Sequence, residues 1–323
     1  NSNWSTPQTV TVTGQDDDVD DGLKTYQINV VVSGSDGNYT SAFNTQVNVT
    51  NIDNDDAGVT ITPTSGLETT EAGGTATFTV VLNTRPIAPV TINFSTSDIT
   101  EGTVPPSINF TTLNWNIPQT ITITGVDDLI DDIDVTYSII TTIEPGLDLV
   151  YNAINPSDVS VKNIDNDIAG ITVNPVSGLQ TTESGGTAQF TIKLNTQPIA
   201  DVRIDFSSSN SAEGTASPQY YVFTSTDWST AKTVTVTGQN DDVDDDNVAY
   251  SIITTMVSGA DATYNLINPQ DVSVTNIDND VAGFTVNPLA GLYTHENGTT
   301  RTFTVRLNSK PYDDVTLSLI SDD

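Results

Sequence analysis

The sequence predicts an all-β chain, a linear array of tandem immunoglobulin-like β-sandwich domains, and three observations carry that expectation. The words Asn-Ile-Asp-Asn-Asp-x-Ala-Gly stand at 51–58, 163–170 and 276–283, with only the sixth residue changing. Their period of 112 to 113 residues is too long for a helical solenoid repeat and suits one independently folding sandwich. Between copies, apolar residues alternate with polar ones over short stretches bounded by Gly, Pro, Asn and Asp, and no helical period appears. About seven such stretches fit into each copy, the number an immunoglobulin-like sandwich needs.

Taken in order, residues 1–56 read as the C-terminal half of a sandwich. They carry Trp4, the strand-like Thr9-Val10-Thr11-Val12-Thr13-Gly14, an acidic loop from Asp16 to Asp21, two further strand-like segments and the first seam. Residues 57–167 form the first complete sandwich, with strands expected near 59–63, 75–83, 90–96, 107–110, 119–124, 135–143 and 158–163. Residues 168–280 repeat that plan with a longer middle around Gln219-Tyr220-Tyr221. Residues 281–323 read as the N-terminal half of a further sandwich. Aligned on the first complete copy, the two half-copies lack only the 13 positions 99–111, so the chain is expected to be a window on a longer array. A second reading has the tail half of one chain completed by the head half of the next, as in strand donation, which would make other copies of this chain a partner in a filament.

Composition narrows the function. Asp and Glu number 42 against 9 Lys and Arg, a formal charge of −33, with one His and no Cys. Phosphate binding needs clustered cations, so a nucleic-acid partner is disfavoured, and an anionic membrane surface would repel the chain. No run of about 18 apolar residues exists to span a bilayer in this segment. Without Cys, and with His295 unaccompanied, nucleophilic catalysis lacks its usual groups, so the chain is expected not to be an enzyme. Trp4, Trp115 and Trp228 hold one repeat position and read as packing residues.

The acids are not spread evenly. Loops at 16–21, 127–132 and 240–246 occupy one repeat position after a Thr-Gly strand end, in constant register with Tyr26, Tyr137 and Tyr250. Crowding carboxylates into one loop is unfavourable unless a cation neutralises them. Calcium suits best, because it takes six to eight oxygen ligands in irregular geometry. The pattern Thr-Glu-x-Gly-Gly-Thr-x-x-Phe-Thr, then an acidic loop, then Asp-Asn-Asp-x-Ala-Gly resembles the Calx-beta domain family across the whole chain. Repetition of Ser-Gly-Leu-x-Thr-Thr-Glu at 65–71 and 177–183 makes it most similar to the tandem arrays of large bacterial cell-surface and adhesin proteins.

That resemblance implies a calcium cluster at the C-terminal end of each sandwich. Its positions fall on Glu71, Asp98, Asp127, Asp128, Asp132, Asp165 and Asp167 in the first complete copy. In the second they fall on Glu183, Asp241, Asp242, Asp245, Asp278 and Asp280, with Asn210 and Asn240 standing where Asp98 and Asp127 stand in the first. Asp16, Asp17, Asp21, Asp53 and Asp55 match in the leading half-copy, and Glu296 in the trailing one. Val135 and Val248 occupy the position of the family's last loop glutamate. The expected function is mechanical: Ca2+ at each seam stiffens an extracellular array, the shaft of a bacterial adhesin or surface filament. The alternative is a calcium-dependent ligand- or glycan-binding adhesion module, which an exposed aromatic and polar patch confined to one copy would signal; the sequence shows none, since the Trp recurs in every copy.

Overall fold

Alternation becomes structure in the strand Thr75–Leu82, where Ala76, Phe78, Val80 and Leu82 are buried while the residues between them are exposed or half-exposed. Side chains of a strand point to opposite faces, so this pattern commits one face to a core. The computed structural model describes residues 3–39 and 44–322, and the chain divides into two units. One comprises Asn1–Asp128 with Asp132–Asn166, the other Leu129–Asp131 with Asp167–Asp323.

The first unit holds β1 (Lys24–Val30), β2 (Thr45–Asn51), β3 (Val59–Thr62), β4 (Leu67–Thr70), β5 (Thr75–Leu82), β6 (Val90–Thr96), β7 (Gly102–Thr103), β8 (Ser107–Phe110), β9 (Gln119–Gly125), β10 (Val135–Ile143) and β11 (Val159–Ile164). Strands β1 and β2 pair as an antiparallel two-stranded sheet. The rest form a sandwich whose sheets run β3-β5-β9-β7 and β4-β11-β10-β6-β8. Phe78 and Phe94 meet edge to face across the core at 5.7 Å between ring centroids. Each such ring contributes about 1.5–3 kcal/mol through burial.

The second unit repeats this arrangement with β12 (Ile171–Asn174), β13 (Leu179–Thr182), β14 (Thr187–Leu194), β15 (Val202–Ser208), β16 (Gly214–Ser217), β17 (Tyr220–Phe223), β18 (Lys232–Gly238), β19 (Val248–Val257) and β20 (Val272–Ile277), followed by the pair β21 (Phe284–Asn287) and β22 (Thr304–Leu307). Its sheets run β12-β14-β18-β16 and β13-β20-β19-β15-β17, over a core in which Phe190 and Phe206 repeat the edge-to-face contact at 5.9 Å. Trp115 and Trp228 lie half-buried against their cores, and their carbonyls accept from Leu82 N and Leu194 N at 3.1 and 3.0 Å. Trp4 is 87% exposed.

Two short strands absent from the expected set, β4 and β13, position the acidic end. Each pairs in parallel with the last strand of its sandwich, β4 with β11 and β13 with β20. The parallel register carries Thr70 beside Ile164 and Thr182 beside Ile277, so the next residues, Glu71 and Glu183, arrive at the seams. Apart from single 3-10 turns at Tyr151–Ala153 and Tyr264–Leu266, no helix appears among the described elements, and none is long and apolar enough to cross a membrane.

Candidate metal centre

The two Asn and the first Asp of the seam motif have separate structural tasks. Asn163 is buried: its Oδ1 accepts from Thr69 Oγ1 at 3.0 Å, and its Nδ2 donates to Glu101 Oε2 at 3.3 Å and to Val126 O at 3.1 Å. Asn276 repeats all three bonds with Thr181, Glu213 and Gln239. The first Asp holds the acidic loop through backbone N–H groups. Asp165 Oδ2 accepts from Ile133 N, Asp278 Oδ2 from Asp245 N and Asp246 N, and Asp53 Oδ2 from Asp21 N and Gly22 N, at 2.6 to 3.1 Å. The second Asn donates its backbone N–H to the Glu that β4 or β13 delivers: Asn166 N to Glu71 and Asn279 N to Glu183, both at 3.1 Å.

At the end of each loop one residue takes a left-handed conformation, Gly22 at φ 68°, Ile133 at φ 65° and Asp246 at φ 61°. Glycine adopts this freely, whereas a β-branched Ile there is strained. The seam Asp bonds to these very N–H groups, so the loop is held in a turn that its sequence alone would resist in the first complete sandwich.

Acid groups assemble on this framework. In the second unit Glu183, Asp278 and Asp280 bring one carboxylate oxygen each within 4.8 Å of the others, and so do Glu213, Asp241 and Asp245. In the first unit Glu101, Asp128 and Asp132 form the matching set, and Glu71 approaches Asp165 as Glu183 approaches Asp278. Glu71, Glu101, Glu183 and Glu213 are all buried, between 2% and 5% exposed.

Burial and mutual repulsion raise the proton affinity of these groups. Desolvation first, then Asp165 and Asp128, push Glu71 up to about 7, although the Asn166 N–H opposes the shift. Desolvation followed by Glu101, Asp128 and Asp165 pushes Asp132 up to about 6. Glu101, Glu183, Glu213 and Asp245 shift upward too, with desolvation the main cause in each.

The structure thus brings together Glu71 and Asp165, Asp128 and Asp132, Glu183 with Asp278 and Asp280, and Asp241 with Asp245. Asp167, the counterpart of Asp280, opens the second unit's long segment. Asp98 turns aside: its Oδ1 accepts from Thr100 N and Thr100 Oγ1, which lowers its pKa. Asp127 accepts from Asn166 Nδ2 at 3.2 Å, and Asn240 takes that role toward Asn279 at 3.0 Å. Asp242 lies exposed at its loop tip. Asp16, Asp17, Asp21, Asp53 and Asp55 line one shallow depression, and Glu296 is exposed; none of these joins a compact group of three among the described residues.

Sequence reasoning missed Glu101 and Glu213. A signal existed, since Glu-Gly-Thr recurs at 101–103 and 213–215 while Asp98 gives way to Asn210 between the copies. The glycine of that triplet lies where an added Cβ would run into the Tyr137 or Tyr250 ring, so backbone and tyrosine pack in direct contact beside the acid.

All donors here are oxygens, which is the chemistry of a hard cation. Among the described residues, one buried side-chain oxygen in each complete sandwich has no hydrogen-bond partner, Asp132 Oδ1 in the first and Asp245 Oδ1 in the second. A buried carboxylate oxygen left so is costly, and a divalent cation at the group would satisfy it. The residues present fit a hard divalent cation.

No family model matches the chain, and no curated protein sequence matches it. Among solved structures, the calcium binding domain CBD12 of CALX1.1 aligns at 13% identity over 67% of this chain and 99% of that one, with a TM-score of 0.31. Domains 4 and 5 of the S-layer protein SbsC align at 12% identity over 58% of this chain and 75% of that one, TM-score 0.25. The fibronectin(III)-like modules of Clostridium thermocellum CbhA align at 12% over 74% and 100%, TM-score 0.23. Overlaps this low carry no functional argument. What stands is a repeated all-β, immunoglobulin-like sandwich fold whose clustered carboxylates can hold a divalent cation.

Proposed function

We propose that this chain is a calcium-stiffened extracellular array, a segment of the shaft of a bacterial adhesin or cell-surface filament, and not an enzyme. The observation that carries the reading is the buried acid group with an orphaned oxygen, built alike in two copies 113 residues apart. Bound calcium would neutralise Glu101, Asp128 and Asp132, or Glu213, Asp241 and Asp245, and fix the acidic loop against the sandwich that carries it. Glu71 and Glu183 would tie the seam to the same charge cluster. Extracellular calcium modules bind at about 0.1–1 mM, so such sites fill outside a cell and empty within it.

Calorimetric titration of the full chain tests this. Calcium is expected to bind saturably near that range and to bind more tightly than magnesium, whose octahedral demand these irregular groups do not meet. Heat no greater than dilution for both ions would remove the reading.

One observation favours the alternative, a ligand-binding adhesion module. On β15 and the edge strand β17 of the second sandwich, Arg203 lies 4.1 Å over the half-exposed Tyr220 ring and forks onto Asp205, while Lys232 covers Phe223 at 4.4 Å. In the first sandwich the positions of Arg203, Tyr220, Asp205 and Lys232 hold Thr91, Ser107, Asn93 and Gln119, while the buried Phe223 is matched by Phe110, so the Arg203–Tyr220–Asp205 group and the Lys232 cation belong to one copy. Loss of surface or glycan adhesion on Tyr220→Ala, with calcium binding unchanged, would favour this second reading.

A further inference from the structure

One member of every acidic loop accepts a backbone N–H from the alanine of its seam motif. Asp20 Oδ2 accepts from Ala57 N at 3.0 Å, Asp131 Oδ2 from Ala169 N at 2.7 Å, and Asp244 Oδ2 from Ala282 N at 2.6 Å. Two residues earlier, a loop carbonyl accepts from a backbone N–H in the copy that follows: Asp18 O from Arg85 N at 2.7 Å, Leu129 O from Gln197 N at 2.6 Å, and Asp242 O from Lys310 N at 2.5 Å. Six bonds therefore reproduce one two-point contact at three repeat positions. Between the two points lies a half-buried apolar residue, Val19, Ile130 or Val243.

The receiving surface is stiff. Tyr151 OH bonds Thr84 through its N, Oγ1 and O at 2.8 to 3.2 Å, and Asp148 Oδ2 accepts from Ile87 N at 2.8 Å. Tyr264, Thr196, Asp261 and Ile199 repeat that corner, and Asp148, Tyr151, Asp261 and Tyr264 are each no more than 3% exposed. Val19 with Asp20 lines a small cavity against the first corner, and Ile130 with Asp131 lines one against the second.

We propose that each acidic-loop tip is a docking element whose partner is the following repeat, with Asp20, Asp131 and Asp244 as anchoring residues and not cation ligands. The contact reads backbone N–H groups, so it is indifferent to side chains at both ends: Asp18, Leu129 and Asp242 on one side, Arg85, Gln197 and Lys310 on the other. One joint therefore serves copies that differ in sequence, provided that the anchor carboxylate and the Ala-Gly pair are present. The glycine of that pair allows Asn83, Asn195 or Asn308 to pack where a Cβ would stand. Because Asp20 adjoins Asp21, Asp131 adjoins Asp132 and Asp244 adjoins Asp245, a cation that fixes the loop also fixes its tip, a consequence that rests on the calcium reading above.

Amide hydrogen exchange on the full chain, with Asp131→Ala, Asp131→Asn and Asp132→Ala, tests the proposal. In calcium, Asp131→Ala is expected to speed exchange at Ala169 and Gln197 by about tenfold while leaving the Ile192 and Val234 amides of β14 and β18 unchanged. Asp131→Asn keeps an acceptor oxygen and is expected to retain most protection. Asp132→Ala is expected to weaken calcium binding, and Asp131→Ala to leave it within about twofold. Unchanged exchange at Ala169 and Gln197 in Asp131→Ala overturns the joint, whatever the calcium titration shows. Loss of calcium binding in Asp131→Ala equal to that in Asp132→Ala overturns the division of roles. Protection that depends on Asp131 in a chain that binds no calcium leaves the joint standing and removes the calcium reading instead.

Discussion

Asp98 and Asp127 of the first complete sandwich are Asn210 and Asn240 in the second, yet both sandwiches gather a buried Glu and two loop Asp within 4.8 Å and leave one Asp oxygen orphaned. What the copies share is the inner group; what they vary is the acid around it. Asp127 and Asn240 each accept from the seam Asn side chain, a task an amide oxygen performs as well as a carboxylate. Asp98 spends its carboxylate on Thr100, and Asn210 Oδ1 caps Ala212 N in the same turn. The comparison thus separates acids that build the loop from acids grouped closely enough to hold a cation.

Removing an inner-group acid should have the largest effect. Glu101→Gln and Glu213→Gln are each expected to weaken calcium binding in their own sandwich by about tenfold or more, about 1.4 kcal/mol, and to leave the other copy unchanged. Site-resolved titration followed by NMR reads this directly. Equal loss in both copies would mean that the sandwiches do not bind independently.

Acidity should distinguish the copies next. Glu71 at about 7 and Asp132 at about 6 lie above their ordinary values of 4.5 and 3.8. A raised carboxylate favours the folded state below its unfolded pKa, and that stabilisation is lost as pH rises through its folded pKa. The calcium-free chain should therefore melt at a lower temperature at pH 8 than at pH 5. Calcium requires the ionised forms, so its affinity should fall severalfold between pH 8 and pH 5.5, more in the first sandwich than in the second. A calcium affinity flat across that range would contradict these assignments.

Smaller effects come from the outer positions. Asp127→Asn should bring the first sandwich toward the second, and Asn240→Asp should do the reverse, each by about two- to threefold through long-range charge alone. Asp98→Asn should change calcium affinity still less. Ile133→Gly addresses the turn: the residue is 76% exposed with φ 65°, so glycine should raise stability by about 1 kcal/mol without changing calcium affinity, measured by denaturant unfolding. A loss of stability would show that the Ile side chain has a role of its own.

Much of this was legible in the sequence. The seven expected strands of the first sandwich lie within one residue of β3, β5, β6, β8, β9, β10 and β11, because each alternates over a half-buried face. Strand β4 escaped notice because Leu67-Glu68-Thr69-Thr70 has a single apolar residue, and its place is fixed by parallel pairing with β11, a contact far away in sequence. β7 is two residues long and has no period to read. The seam motif was visible as a repeat, but the division of labour among its Asn and Asp residues arises only when β4, β11 and the acidic loop meet. Glu101 lies in a turn that no strand pattern marks, and only its recurrence as Glu213 could have drawn attention to it.

The central claim is that calcium turns a jointed chain into a stiff one. Small-angle scattering of the full chain, with a thermal melt on the same samples, in millimolar calcium and then in chelator, tests it most directly. The account predicts that calcium lengthens the maximum dimension and raises the melting temperature, and that chelator reverses both. Identical scattering curves and melting temperatures in the two conditions would contradict it, leaving the acids as a solvated surface and directing attention to the Tyr220 face.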